Sequence, residues 1–111
     1  MITRRILIAG GPLAVGTLLA ASVGAQPAEA AIHIDNFAFT PAELTIAAGT
    51  RVTWINRDDI PHNVVDRDNP RTRRSPVLDT NDSYAFTFES PGTFHYFCAL
   101  HPHMQGTVIV R

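Results

Sequence analysis

Near the end of the chain, Phe94 to Met104 (FHYFCALHPHM) holds the only cysteine, three of the five histidines and the only methionine besides Met1. Cys98, His101 and Met104 stand at equal three-residue intervals, just after an aromatic run that reads as a strand. Pro102 lies among them and stops a helix from forming. Thiolate, imidazole and thioether are soft donors, suited to copper, zinc or iron–sulfur rather than magnesium or calcium. Three ligands on so short a turn leave one side of an ion open, so a fourth donor must come from elsewhere in the chain.

His62 is the candidate. Pro61 fixes the backbone before it, and Asn63 can hydrogen-bond backbone groups of a neighbouring loop. Taken alone, a histidine at a strand start is more often a surface or packed residue; the surrounding motif is what singles this one out.

These residues need a scaffold, and the chain from Ala31 onward has the period of strands. Ile32 and Ile34, Leu44 and Ile46, and Val52 and Trp54 alternate with polar residues, with turns at Pro41-Ala42 and Ala48-Gly49-Thr50. His62 to Val65 reads as a short strand and Ser75 to Leu78 as a minor edge strand, separated by a loop, Asp66 to Arg74, too polar to bury. Tyr84, Phe86 and Phe88 share one face of the next strand. Thr93 to Cys98 and Thr107 to Val110 complete the set. Seven or eight strands with no sustained helical period predict an all-β antiparallel sandwich or flattened barrel. Trp54, Phe37, Phe39, Phe86, Phe88, Phe94 and Tyr96 are its expected core.

The front of the chain differs. Arg4 and Arg5 precede an uncharged run from Ile6 to Val23, and Ala28-Glu29-Ala30 offers small residues where a signal peptidase reads. This is the layout of a cleavable export signal over residues 1–30, with a domain at 31–111 to follow and the periplasm as its destination. An earlier cut after Val23-Gly24-Ala25 obeys the same rule. Gly10, Gly11, Pro12 and Gly16 make the run a poor permanent span. Thr3-Arg4-Arg5 also resembles a twin-arginine signal.

Past residue 30, seven arginines stand against nine acidic residues, which gives no reason to expect nucleic acid. Arg67, Arg71, Arg73 and Arg74 are interleaved with Asp66, Asp68, Asn69 and Pro70, which reads as a solvated loop, with partner docking as the sharper alternative. An exported domain this small commonly relies on disulfides, yet Cys98 has no partner within the chain, so its thiol must be buried, paired between chains or coordinated.

Val52-Thr53-Trp54-Ile55-Asn56, then Pro61-His62-Asn63-Val64, then Pro91-Gly92-Thr93-Phe94 and Tyr96-Phe97-Cys98 leading to His101-Pro102 and Met104, together resemble the cupredoxin family. The Cys-x2-His-x2-Met spacing is nearest that of amicyanins, with plastocyanins and pseudoazurins as relatives. The resemblance implies a Greek-key β-sandwich of seven to eight strands. It implies one copper ion of the type 1 (blue) kind, held by His62, Cys98 and His101, with Met104 as a weak axial ligand. It further implies a soluble, monomeric one-electron carrier that meets redox proteins briefly, such as a dehydrogenase donor and a cytochrome acceptor, through the His101 edge. Pro61, Leu100 and Pro102 would form an apolar collar there, and Asn63 would tie the His62 strand to the Cys98 loop. Two imidazoles, a thiolate and a thioether are also the donor set of a blue-copper centre on chemical grounds.

His103 departs from the family pattern, which has an apolar residue there; a solvent-facing loop position is expected. Phe97 marks a second route for electrons or an ordinary packed aromatic. Copper sequestration or delivery without electron transfer is the alternative function, but delivery favours exposed, exchangeable tracts of methionine or histidine. An enzyme is not expected: a copper oxidase would flank its cysteine with histidines, and Cys98 has Phe97 and Ala99. A nucleophilic cysteine would need a base and an orienting group that the turn lacks.

Overall fold

The computed structural model describes residues 28–111. Most of the proposed export signal lies outside them. Among the described residues there are eight strands and no helix: β1 (Glu29–Asp35), β2 (Ala38–Thr40), β3 (Glu43–Ile46), β4 (Thr50–Asn56), β5 (Val65–Asp66), β6 (Ser83–Phe88), β7 (Gly92–Cys98) and β8 (His101–Val110). They form two four-stranded sheets, in the orders β2-β1-β4-β6 and β3-β8-β7-β5.

Period-two patterning decides which faces meet. Ile32 and Ile34 of β1, Val52 and Trp54 of β4, and Val108 and Val110 of β8 point inward and are buried, while their neighbours are exposed or half-buried. Burial of each such side chain is worth about 1.5–3 kcal/mol, so a one-residue slip in any of these strands would turn its core outward. Trp54 is the hub, packing against Tyr84, Phe88 and Tyr96.

The expected all-antiparallel arrangement holds for most pairs but not all: β1 runs parallel to β4, and β3 parallel to β8. Alternation reports which face a residue occupies and carries no information on strand direction. After the β1–β2 hairpin the chain crosses to the second sheet as β3 and returns as β4 beside β1. That excursion produces the parallel pairing.

Three local expectations are corrected. Phe37 is not in the core; it is 54% exposed, at the tip of the β1–β2 hairpin, whereas Phe39 is buried. The strand expected at His62 to Val65 is reduced to Val65–Asp66, and Ser75 to Leu78 contributes only an isolated bridge, Leu78 to His62. Asp66 and Arg73 are not free in solvent. The Asp66 carboxylate accepts from the backbone of Asp68 and Asn69 and from Arg73 Nε. The Arg73 guanidinium lies over the Phe86 and Phe94 rings, and this closes the side of the sandwich. Arg67, Arg71 and Arg74 do remain exposed.

Candidate metal centre

The site is built at one end of the sandwich from three connections. The first is the turn between β7 and β8. Cys98 and His101 face each other across a two-residue turn, Ala99–Leu100, and the register then slips so that Phe97 faces Gln105. Pro102, His103 and Met104 are the extra residues in that slip. The expected loop of ligands is therefore mostly strand: His101 opens β8 and Met104 lies on it. Cys98 is fully buried, Met104 is buried in the same apolar cluster, and His101 is half-buried.

The second connection carries His62. Its backbone is clamped to Leu78 by two hydrogen bonds, His62 N to Leu78 O at 3.1 Å and Leu78 N to His62 O at 2.7 Å. The residues before it are held by Asn56, whose buried side-chain amide donates to the carbonyls of Ile60 and Leu78 and whose oxygen accepts from Asp58 N. The ring is completely buried. Its Nε2 meets the Asp58 carboxylate at 2.7 Å. With Nε2–H donating there, Nδ1 presents its lone pair to Cys98.

The donors converge. Cys98 Sγ is 3.7 Å from His62 Nδ1 and 3.8 Å from His101 Nδ1, and the three ligand atoms all lie within 4.8 Å of one another. A sulfur and a nitrogen bonded to one ion at zinc-like lengths of about 2.3 and 2.05 Å, roughly 120° apart, would sit about 3.8 Å from each other. The spacing therefore suits a single ion that all three donors would hold. Asn63 secures the sulfur from both sides of its own residue: its backbone N–H donates to Cys98 Sγ at 3.4 Å, and its side-chain oxygen accepts from Ala99 N at 2.7 Å.

The third connection is the β1–β2 turn, which the sequence reading did not assign to the site. Asn36 and Phe37 both have positive φ, 53° and 58°, the backbone of a two-residue type I′ hairpin. Their N–H groups donate to the two oxygens of Asp58, at 2.6 and 3.0 Å. Burial would raise the Asp58 carboxyl, but hydrogen bonds from Phe37 N, His62 and Asn36 N outweigh it and hold the group below its ordinary value. The Phe37 ring meets the His62 and His101 rings edge-on, at centroid distances of 5.8 and 5.2 Å.

The remaining histidines lie apart from this cluster. His103 and His33 are exposed; His95 is half-buried, with Nδ1 3.2 Å from Thr107 Oγ1. Phe97 is half-buried on β7. Pro61, Leu100 and Pro102 are exposed and His101 is half-buried.

A two-sheet β-sandwich that brings a buried cysteine sulfur and two imidazoles together, with a buried methionine on the strand that His101 opens, fits the class of mononuclear soft-metal proteins. Comparison with known proteins gives the class its family. The profile of the cupredoxin-like domain matches residues 10–110. Amicyanin-alpha of Methylorubrum extorquens is 37% identical over 83 residues, covering 72% of this chain and 70% of that protein. Among solved structures, a purple cupredoxin from Nitrosopumilus maritimus is similar with a TM-score of 0.68 and 34% identity, covering 74% of this chain and 99% of that one. An oxidised amicyanin variant is similar with a TM-score of 0.69 and 32% identity, covering 73% and 80%. The chain belongs to the cupredoxin family, and its cofactor is one copper ion.

Asp58 and Phe37 are the two site residues that sequence reasoning missed. For Asp58 a signal existed, an acid four residues before the candidate ligand in Asn56-Arg57-Asp58-Asp59-Ile60-Pro61-His62. For Phe37 the signal was Asp35-Asn36 between two apolar runs, which marks a tight hairpin. The bulky aromatic at its second central position concealed it.

Proposed function

We propose that this protein is an exported one-electron carrier of the periplasm, in which His62, Cys98 and His101, with Met104 as a further sulfur donor, would hold the copper. The observation that carries the reading is the convergence of three soft donors on a scaffold whose bracing does not depend on the ion. Copper supplies the chemistry, a one-electron change between Cu(II) and Cu(I) that favours different geometries in the two states. The protein supplies constancy. His62 is fixed by Leu78 and Asp58, Cys98 by Asn63, and His101 by strand pairing opposite Cys98. Ligands so held rearrange little as the charge changes, which favours fast electron exchange over substrate chemistry.

Electrons would pass at the edge of His101, the ligand nearest solvent, through the exposed apolar collar of Pro61, Leu100 and Pro102. Such a patch suits brief docking of redox partners over under about 1,200 Å². A dehydrogenase donor and a cytochrome acceptor fit the similarity to amicyanins. The amino-terminal pattern of Arg4-Arg5 and the apolar run supports export.

The test is the visible and paramagnetic-resonance spectrum of the protein with Cu(II), for the parent and Cys98→Ser. An intense thiolate-to-copper band is expected in the parent and none in Cys98→Ser. A colourless parent would overturn the reading, and slow electron self-exchange in a coloured one would reduce it to copper storage. Band position matters as well, because one structural relative is described as purple.

A further inference from the structure

We infer that Phe37 is a positioning residue for the copper site, a ring held by a strained turn against both histidine ligands so that they keep their places and the ion is slow to leave. The inference rests on the ligand set proposed above.

The starting observation is an outlier. A phenylalanine at φ 58° is out of place, since the left-handed region disfavours bulky residues and the second central position of such a hairpin is usually glycine. Strain of this kind costs about 1–3 kcal/mol and persists only where the surroundings over-determine it. The surroundings here do so: the Phe37 N–H is tied to Asp58 Oδ2 at 3.0 Å, and the same oxygen meets His62 Nε2 at 2.7 Å. One carboxylate thus fixes both the turn and a ligand.

Core packing does not explain the ring, which is 54% exposed. Its contacts among aromatic rings are His62 and His101, with interplanar angles of 88° and 87°. Edge-on contacts at these distances are favourable. They involve one ligand that is buried and one that is half-buried. His101 is the more mobile in principle, because it stands at the start of a strand beside an exposed turn. A ring packed edge-on against it opposes a rotation of the imidazole that would carry Nδ1 away from Cys98 Sγ.

The test separates this role from that of a turn residue. Glycine relieves the backbone strain and removes the ring, so the two roles give opposite signs. In Phe37→Gly the apoprotein should melt at the parent temperature or higher, while the copper-loaded protein should lose its ion to excess EDTA about tenfold faster, the rate equivalent of one or two ring contacts. Phe37→Asn, which also tolerates positive φ, should repeat the result. Phe37→Tyr should release copper at the parent rate, as should Val77→Ala, which trims an equally exposed apolar residue.

Parent-like release in Phe37→Gly with an intact thiolate band would overturn the proposal. So would a fall in apoprotein melting temperature that accompanies faster release, because the ring would then act through the fold. A parent that takes up no copper would instead remove the ligand set on which the proposal rests.

Discussion

Asp58 Oδ2 lies 2.7 Å from His62 Nε2, and the carboxylate accepts the backbone N–H groups of Asn36 and Phe37 as well. The buried imidazole is thereby oriented from behind, by a group that also closes the β1–β2 hairpin. Carboxylates in this position fix the tautomer and raise the basicity of the coordinating nitrogen. Asp58→Ala should still fold and bind copper, but with about 10–100-fold lower affinity. Competition with a chelator of known affinity measures it. Asp58→Asn, which keeps the shape but loses the charge, should fall between the two; parent-like affinity in both variants would deny Asp58 this role.

Asn63 spans the gap between the two ligand segments. Removing its side-chain oxygen in Asn63→Ala leaves the Ala99 N–H without its acceptor, at a cost of about 1–3 kcal/mol if no water replaces it. Copper should still bind, because Cys98 keeps the backbone hydrogen bond from residue 63, but less tightly and at an altered potential. Voltammetry and chemical denaturation of the same sample read both effects, and an unchanged potential would count against the bridging role.

Gly106 sits opposite Tyr96 in the β7–β8 pair. A methyl group there would come within 2.2 Å of the tyrosine ring and hydroxyl. That ring is buried and packs edge-on against Phe39 and Trp54, so any shift of it disturbs those contacts. Gly106→Ala should cost at least the 1–3 kcal/mol typical of overpacking, so about that amount as a lower bound. Trimming the ring in Tyr96→Leu should recover part of the loss, whereas a parent-like denaturation midpoint for Gly106→Ala alone would show that the ring can move.

The Tyr96 hydroxyl and Trp54 Nε1 are both buried without a hydrogen-bond partner. Burial pushes the Tyr96 phenol up to about 12; the Trp54 indole N–H, close by but outside hydrogen-bond geometry, offsets only part of this. The folded state therefore keeps a proton that the unfolded chain releases near pH 10. Stability is fully present below that pH and falls as pH rises from about 10 towards 12. Tyr96→Phe should flatten the alkaline limb, leaving a residue from Tyr84, which burial also raises. At neutral pH it should be neutral or stabilising by about 1 kcal/mol, since an unsatisfied hydroxyl is removed. An unchanged alkaline limb would refute the assignment.

The convergence of Cys98, His101 and His62 could be read from the chain because the chemistry of Cys98 and His101 is carried by residue type and short spacing, and the family motif supplied His62. Strand positions were legible for the same kind of reason: one buried face imposes period two on Ile32, Ile34, Val52 and Trp54. Asp58 and Phe37 were not, because their roles depend on long-range neighbours. Nothing local to Asp58 says that the Asn36–Phe37 turn will fold over it. Phe37 looked like core because aromatic residues usually are, and only the direction of the hairpin puts it outside. Strand direction was illegible too, since parallel and antiparallel neighbours share the same alternation.

The amino-terminal boundary is where structure bears on a choice that the sequence left open. A cut after Ala30 would fall inside β1. Glu29 and Ala30 pair with Arg51 and Val52, and the Ala28 carbonyl accepts from Arg51 N at 2.9 Å. A cut after Ala25 keeps all of these. A chain beginning at Gln26 should therefore be more stable than one beginning at Ala31 by about 1–3 kcal/mol, the worth of two or three backbone hydrogen bonds. Under the export proposed above, the intact mass of the processed protein should correspond to Gln26 at its amino terminus. A mass corresponding to Ala31, together with equal denaturation midpoints for the two chains, would mean that the first turn of β1 is dispensable.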